Sequence, residues 1–433
     1  MKDITDEFSY AVQHSPQLLR DPQIMQYIQS LGAKLAKHAS AGDTSMTFFV
    51  IGEPTINAFA GPGGYIGINS GLVLATSSES ELASVLAHEI AHIDQKHYLS
   101  GLQMAKSQRI PMIASTVAAL ALSVINPALG SGVLAATMTS LYQSSINFTR
   151  ANEKVADRVG IKILHDAGYD PASMIGFFQK VQQTSRYYYT QHIPPYLRTH
   201  PLDRERIADA LNRLDQYPAQ TYANSIDYQL FKERIRVQTE KNPNDLIPYY
   251  KDKLSQQKED VALLYGYTLV LLEIREHAQA LRQMQQLVEQ HPNKMNLQTT
   301  LIDIYLANGQ TELGLTRLHE LTHIYPDNYP LLYQYINALV KYGQPQQARE
   351  ILQQAVYKYP EDPDLWEKLA RAQAADKHEA EAYFSRGQAL LLQGNAGYAL
   401  NQFKQALKLA QGNRLLTAKI TSRIAKIESG NSS

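Results

Sequence analysis

The residues His88-Glu89-Ile90-Ala91-His92 place two imidazoles and one carboxylate in the pattern H-E-x-x-H. The pattern lies in an apolar segment, 81–95, which we predict to be a helix. Residues four apart share one face of an α-helix, so His88 and His92 can direct their rings at one point and hold a zinc ion. Glu89 lies beside them and can act as general base toward an attacking water molecule. The motif therefore predicts the centre of a zinc metallopeptidase.

The same motif can also arise from two surface histidines on an ordinary amphipathic helix. The surrounding residues argue against that alternative, because the segment is apolar from end to end and the motif interrupts it with polar groups. Buried polar groups need partners, and a metal ion is a good partner for this set. The apolar residues are Leu82, Val85, Leu86, Ile90 and Ile93.

A catalytic zinc keeps three protein ligands and one open position, so a third ligand must come from elsewhere in the chain. The metzincin arrangement would require a histidine at position 98, which holds Tyr98, and we interpret the neighbouring His97 as a solvated histidine at the helix end. The gluzincin arrangement takes a glutamate from a later helix, often with an aspartate four residues on. Glu153 and Asp157 fit that arrangement, although this pair alone would also fit a solvated acidic helix face.

His200 is followed by Pro201 just before another segment that we predict to be a helix. A histidine there can reach across a cleft. Taken alone, the pair also fits a simple turn that begins a helix.

Together these motifs resemble the gluzincin family that includes the CAAX-prenyl proteases, the HtpX-type membrane proteases and the Oma-type mitochondrial proteases. The resemblance covers residues 1–223. It implies that the metal ligands are His88, His92 and Glu153 and that Glu89 is the base. It also implies that Asp157 hydrogen-bonds the outer ring nitrogen of a ligand histidine.

The resemblance also assigns roles to two residues after the predicted ligands. His200 matches the family's His-Pro position, which either steadies the oxyanion or occupies the open zinc position in a resting enzyme. Arg206 matches an arginine of the family, and its role stays open.

Upstream, Asn57-Ala58-Phe59-Ala60 and the glycine-rich residues after it resemble the edge strand and hairpin that precede the zinc helix in this family. The resemblance implies that this strand pairs with the extended backbone of the substrate. Such β-augmentation binds a substrate through main-chain hydrogen bonds, and side-chain pockets add selectivity. A plain hairpin with a glycine-rich turn fits the same residues.

The composition limits the possible functions. The chain of 433 residues has 41 Lys and Arg against 41 Asp and Glu, so its zero net charge gives no support for nucleic-acid binding. It has no cysteine, so a zinc site must use histidine and carboxylate ligands. The length exceeds one typical domain, and two are expected.

Two segments bear on the compartment. The first eight residues contain no apolar run, so we expect no signal peptide in this sequence, which is either cytoplasmic or the mature form of an exported protein. Residues 110–149 contain no charge, but Pro and Gly divide them into runs too short to cross a membrane. We predict two short helices that cover the catalytic core, with membrane contact as the alternative.

The second half of the chain has an internal period. Pro292, Pro326 and Pro360 are each 34 residues apart, which is the period of tetratricopeptide repeats. A further unit around Gly387 and Phe403 is close to the repeat consensus, with an extra helix before it and a closing helix over 415–427. Such arrays form a solenoid that binds peptides or partner proteins.

The sequence thus predicts a mostly α protein, with a zincin-type helical peptidase domain and a small β-sheet over 1–223 and an α-solenoid over 224–433. This layout resembles the BepA/YfgC-type family of periplasmic bacterial proteins. The resemblance implies a zinc endopeptidase of the periplasm, with a signal peptide removed and a chaperone-like role. Its implied partners are unfolded or stalled outer-membrane β-barrel proteins and, through the repeats, the β-barrel assembly machinery.

Two alternatives remain open at this point. In one, the protein is mainly a repeat-based scaffold whose protease domain is usually autoinhibited. In the other, it is a membrane-associated protease, which requires residues 110–149 to insert.

Overall fold

The computed structural model describes residues 2–40, 45–97, 141–187, 194–218 and 222–429. It forms two compact units, Met1–His291 and Pro292–Ser433. The first unit extends beyond residue 223 and contains four further helices. The domain boundary at 223/224 stays a prediction.

The first unit is mainly helical. Its helices are α1 (Lys2–Gln13), α2 (Pro22–Ala36), α3 (Ser70–Ala75), α4 (Glu79–Asp94), α5 (Leu141–Asp166), α6 (Ser173–Tyr187), α7 (Pro195–Thr199), α8 (Arg204–Leu214), α9 (Ile226–Thr239), α10 (Leu246–Gln256), α11 (Val261–Glu273) and α12 (His277–Gln290). Its strands are β1 (Thr47–Ile51), β2 (Ala58–Ala60) and β3 (Tyr65–Asn69). Short 3₁₀ turns occur at Pro62–Gly64 and Pro243–Asp245.

The small sheet has the order β1-β3-β2, with β1 parallel and β2 antiparallel to β3. Strands β2 and β3 form a hairpin whose turn contains Gly63 and Gly64 at φ values of 75° and 82°, a conformation that glycine adopts without steric cost. The short strand β2 therefore forms one edge of the sheet, as the sequence predicts.

Helix α4 carries the H-E-x-x-H motif through the core of the first unit. Ser78 caps its N-terminus, since the Ser78 hydroxyl accepts a hydrogen bond from the Glu81 amide at 3.1 Å. Apolar residues are buried on every side of the helix, including Leu82, Leu86 and Ile90. A helix buried all round cannot turn its polar side chains to solvent, so the motif residues must find partners inside the protein.

Helix α9 fixes the segment that leads into α4. The Tyr228 hydroxyl bonds the backbone oxygen of Thr76 at 3.0 Å, and the Phe231 ring stacks on Tyr27 of α2 with ring centroids 4.2 Å apart. Arg234 forms a two-pronged ion pair with Asp21, the residue that caps α2. Residues far apart in sequence thereby hold the start of the motif helix.

The second unit is a succession of antiparallel helices. They are α13 (Met295–Ala307), α14 (Thr311–Ile324), α15 (Tyr329–Lys341), α16 (Pro345–Lys358), α17 (Pro363–Ala375), α18 (Glu379–Leu392), α19 (Ala396–Leu409) and α20 (Arg414–Glu428). The first residues of α13, α15 and α17 repeat the 34-residue interval of the prolines.

Small residues of the repeat pattern lie where neighbouring helices approach each other. A Cβ atom built on Gly387 would lie 2.6 Å from the Phe403 ring, so α18 and α19 can pack this closely only with glycine there. The predicted extra helix is α17, and the predicted closing helix is α20.

The predicted fold class, mostly α with a small sheet and a helical repeat array, is confirmed. The predicted helix pair over 110–140 lies outside the described residues, and 141–149 belong to the backbone of α5. Among the helices that the structure describes, none is long and apolar enough to span a membrane.

Candidate metal centre

His88 and His92 lie one turn apart on α4, and their rings meet edge to face with centroids 4.7 Å apart. The Nε2 atoms of the two rings are 3.0 Å from each other. His88 is buried and His92 partly so. Two imidazole nitrogens at this distance can share a proton or a metal ion.

Helix α5 brings Glu153 to the same point. Its carboxylate oxygens lie 3.2 Å from His88 Nε2 and 3.3 Å from His92 Nε2. His200, directly after α7, adds a third imidazole, with its Nδ1 atom 3.2 Å from both Glu153 oxygens. One donor atom from each of the four residues lies within 4.8 Å of the others.

This donor set fits a metal ion of the zinc type. Imidazole nitrogens and a carboxylate oxygen are ordinary zinc ligands, and four donors match its tetrahedral preference. The imidazole-rich set is less suited to Mg²⁺ or Ca²⁺, which prefer oxygen ligands.

Two charged residues, Asp157 and Arg206, lie behind the four donor residues and orient them. Asp157, one turn after Glu153, lies with its Oδ1 3.0 Å from His88 Nδ1, the nitrogen that faces away from the cluster. Arg206 of α8 donates two hydrogen bonds of 2.8 Å to the Asp157 carboxylate and a third to the Pro201 oxygen at 2.7 Å. Arg206 is buried and its guanidinium also lies 3.0 Å from Glu153. Its single positive charge therefore offsets part of the negative charge of the two carboxylates.

Electrostatics at the cluster favour a bound cation. Burial disfavours the charged form of Glu153, yet the nearby imidazoles outweigh burial and hold the pKa of Glu153 well below its usual range. Burial likewise works against the charge of Asp157, while His88 and Arg206 lower its pKa. Burial lowers the pKa of His88, but the carboxylates of Asp157 and Glu153 raise it to about 10. The cluster thus attracts positive charge, whether a proton or a metal ion.

Glu89 lies beside this cluster on the motif helix and is buried. Its Oε1 atom lies 3.3 Å from Nε2 of His200, so one ring of His200 contacts Glu153 on one side and Glu89 on the other. The predicted base and the predicted fourth ligand are therefore direct neighbours.

A backbone hydrogen bond joins the segment before the edge strand to the segment before His200. The Tyr196 amide, in α7, donates a hydrogen bond of 3.2 Å to the oxygen of Ile56, just before Asn57. Of the four predicted substrate residues, Ala58, Phe59 and Ala60 form β2, and Asn57 precedes it. Their role in substrate binding stays a prediction.

The interpretation of His97 as a solvated histidine is wrong. The side chain is half-buried, and its Nδ1 atom lies 3.0 Å from Nδ1 of His92. A continuous helix would place a residue five positions on at about 140° around its axis, away from His92. The helix instead ends at Asp94, and this break is what a regular helical pattern does not reveal.

Tyr196 is the other residue that sequence reasoning missed. Its ring lies 4.8 Å from the His200 ring, and its buried hydroxyl has no hydrogen-bond partner among the residues that the structure describes. No local signal marks it, because the sequence places it in a short segment after two prolines.

Sequence profiles of known families match both halves of the chain. The profile of peptidase family M48 matches residues 22–214, which contain all the residues of the candidate metal centre. A tetratricopeptide-repeat profile matches residues 305–372, which span α14 to α16 and parts of the helices on either side.

Some curated relatives match nearly the whole chain, and others match less than half of it. The putative beta-barrel assembly-enhancing protease of Vibrio cholerae is 34% identical over 426 residues, covering 98% of this chain and 87% of that protein. The beta-barrel assembly-enhancing protease of Yersinia pestis is 33% identical, covering 95% and 85%. The mitochondrial metalloendopeptidase OMA1 of Arabidopsis thaliana is 29% identical, over 42% of this chain and 35% of that protein.

Proposed function

The chain belongs to peptidase family M48, among its beta-barrel assembly-enhancing proteases, and from this premise we propose that it is a zinc-dependent endopeptidase in the assembly and quality control of outer-membrane β-barrel proteins. The observation that carries the proposal is the convergence of four metal-ligand side chains beside the buried carboxylate of Glu89. The proposed place of action is the periplasm.

His88, His92 and Glu153 would hold the zinc ion, with Asp157 and Arg206 behind them. Asp157 would keep the proton of His88 on Nδ1, which would leave the Nε2 lone pair free to bind a metal ion. When bound, zinc supplies Lewis acidity, which polarises the scissile carbonyl and lowers the pKa of water to about 7.

Glu89 performs the proton transfers in this proposal. Its carboxylate takes a proton from the attacking water and then delivers it to the nitrogen of the leaving amine. Because Glu89 is buried, bulk water does not compete for that proton.

His200 has two proposed roles that its position supports equally. Its Nδ1 atom lies among the ligand atoms, where it can act as a fourth ligand and hold the site closed at rest. With substrate bound, the same ring could instead donate a hydrogen bond to the oxyanion.

The substrate strand is proposed to pair with the edge strand β2, next to Asn57. Main-chain pairing accepts many sequences, which suits an enzyme that cleaves unfolded β-barrel proteins. The repeat array would then provide much of the selectivity by binding the β-barrel assembly machinery, as tetratricopeptide arrays bind partner proteins.

The alternative is that the protein acts mainly as a scaffold, with the protease usually autoinhibited. The observation that favours it is the position of His200 among the ligand atoms. An inactive variant that fully restores outer-membrane assembly in cells lacking the native protein would favour the scaffold over the enzyme.

The test of the enzyme is Glu89→Gln in the zinc-loaded full chain, with an unfolded outer-membrane β-barrel protein as substrate. We expect the cleavage rate to fall by about 10²–10⁴-fold, the usual contribution of a general acid–base, while zinc content stays unchanged. The matched control is Glu205→Gln on the exposed start of α8, which should cleave like the native chain. Undiminished cleavage by the Glu89 variant would refute the assigned mechanism.

Replacing His200 by alanine separates its two roles. Faster cleavage would identify His200 as a resting block, because the substitution opens the metal. Slower cleavage with unchanged zinc affinity would identify it as the oxyanion donor.

A further inference from the structure

His97 contacts a proposed metal ligand from the side opposite the metal site. His92 directs Nε2 toward His88 and Glu153, while its Nδ1 atom lies 3.0 Å from Nδ1 of His97. The two rings cross at 72° with centroids 5.0 Å apart, so the contact joins ring nitrogens and is not a stack.

The backbone is bent to make this contact possible. Gln95 ends the helix with a hydrogen bond from its amide to the Ala91 oxygen, and Lys96 then adopts a φ of 53°. This left-handed conformation costs a residue with a side chain about 1–2 kcal/mol. This conformation takes the chain off the helical path and brings the His97 ring next to the His92 ring.

The chemistry of zinc ligation decides which nitrogen carries the proton. A neutral imidazole has one N–H group, so a His92 ring that offers the Nε2 lone pair to the metal must carry its proton on Nδ1. That proton faces Nδ1 of His97, which must then be the acceptor and carry its own proton on Nε2.

We propose that His97 is a positioning residue for the metal site. It accepts a hydrogen bond from the Nδ1–H group of His92 and so holds the Nε2 lone pair of His92 toward the metal. The inference rests on the proposed function, because it assumes that His92 ligates zinc. It gives the two motif histidines different supports, a charged carboxylate for His88 and a neutral imidazole for His92.

The difference has a chemical consequence. A carboxylate acceptor increases the basicity of a ligand imidazole more than a neutral acceptor does. His92 is therefore the weaker of the two histidine ligands.

The test compares His97→Leu with His97→Gln in the full chain, with the zinc dissociation constant measured by competition with a chromophoric chelator. We expect His97→Leu to bind zinc about 10–100-fold more weakly, the usual effect of losing such a partner. His97→Gln should recover most of the loss, because its amide oxygen can accept the same proton. His38→Gln, at another helix end and exposed, is the control and should bind zinc like the native chain.

Equal zinc affinity of His97→Leu and the native chain would overturn the proposal, and so would equal losses in both His97 variants. If the native chain itself bound no zinc, the proposed function would fail instead, and the two results are thus distinguishable. A second measurement does not depend on folding of the variants. Long-range ¹⁵N–¹H spectra of the zinc-loaded native chain should show the His97 proton on Nε2, and a proton on Nδ1 would contradict the proposal.

Discussion

The metal centre and the repeat array are both built from helices, but their polar contacts join residues at very different separations along the chain. His88 and His200 of the metal centre are 112 residues apart, and in the same unit Arg234 of α9 reaches Asp21 across 213 residues. In the array, the bond from Gln334 to Asp303 spans only 31 residues, about one repeat.

The difference shows what each region requires. Each helix pair of the array needs only its neighbours, so stability there is roughly a sum of local terms. The metal centre needs four separate segments at once, and an error in any of them leaves a buried charge without its partner. The three predictions below test this contrast.

The single tryptophan allows the two regions to be followed separately. Trp366 lies half-buried in α17 of the second unit, and its ring meets Phe384 edge to face. Its fluorescence therefore reports unfolding of the array, while far-ultraviolet circular dichroism reports unfolding of the whole chain.

The largest effect on stability is expected for Arg206→Met. The substitution leaves the carboxylates of Asp157 and Glu153 buried without their guanidinium partner. We expect the zinc-free chain to lose about 3–5 kcal/mol in the first unit, measured by urea unfolding with circular dichroism.

The matched control for that substitution is Arg213→Met on the same helix. Arg213 forms only a partly exposed pair with Asp209 one turn away, so a loss below about 1 kcal/mol is expected. The urea midpoint of the Trp366 fluorescence transition should be unchanged in both variants. If Arg206→Met lowered this midpoint as much as it lowered the midpoint measured by circular dichroism, the two units would not unfold independently and the contrast would fail.

A smaller, pH-dependent effect is expected for Asp21→Asn. Asparagine caps a helix as well as aspartate, so the change keeps the cap and removes the charged acceptor of the hydrogen bonds from Arg234 and Gln238. At pH 7 we expect a loss of about 1.5–3 kcal/mol, typical of a hydrogen bond to a charged group. Asp209→Asn, in a more exposed pair, is the control.

The pH dependence of this loss has a definite sign. Burial raises the pKa of Asp21, but the charge and hydrogen bonds of Arg234 lower it by more than burial raises it. The net pKa is therefore below its usual value. A carboxyl with a lowered folded pKa stabilises the fold above its unfolded pKa of about 4, and this stabilisation is lost as the pH falls through the folded value. The difference between Asp21→Asn and the native chain should therefore shrink on acidification, and a constant difference from pH 7 to pH 3 would contradict the assignment.

The smallest effect is expected for Ile336→Val in the array. Ile336 is fully buried on α15, and loss of one methylene there should cost about 0.5–1.5 kcal/mol. The Trp366 transition should shift while zinc affinity stays unchanged. Val340→Ala on the exposed face of the same helix should shift neither, and a change in zinc affinity with Ile336→Val would show that the array is not energetically separate.

Two parts of the molecule could be predicted from sequence because they depend on local geometry. The spacing of His88 and His92 fixes their common face once the segment is helical. The interval between Pro292 and Pro326 fixes the pairing of successive helices, because each pair packs on the next one in sequence.

Other contacts could not be predicted, for two physical reasons. His97 reaches His92 only because Lys96 leaves the helical conformation, and a pattern that assumes a continuous helix places His97 elsewhere. Tyr196 lies beside His200 because α7 is anchored to Ile56, a contact between segments 140 residues apart that no local periodicity encodes.

The sequence by itself predicted the candidate metal ligands, the likeness to a peptidase family and the repeat period, since residue type and spacing are sufficient for each prediction. Only the tertiary structure decided how the buried charges are balanced, with Arg206 between Glu153 and Asp157, and which residues support each histidine. The physical reason is that desolvated charges need partners in three dimensions, and those partners come from distant segments that only folding brings together.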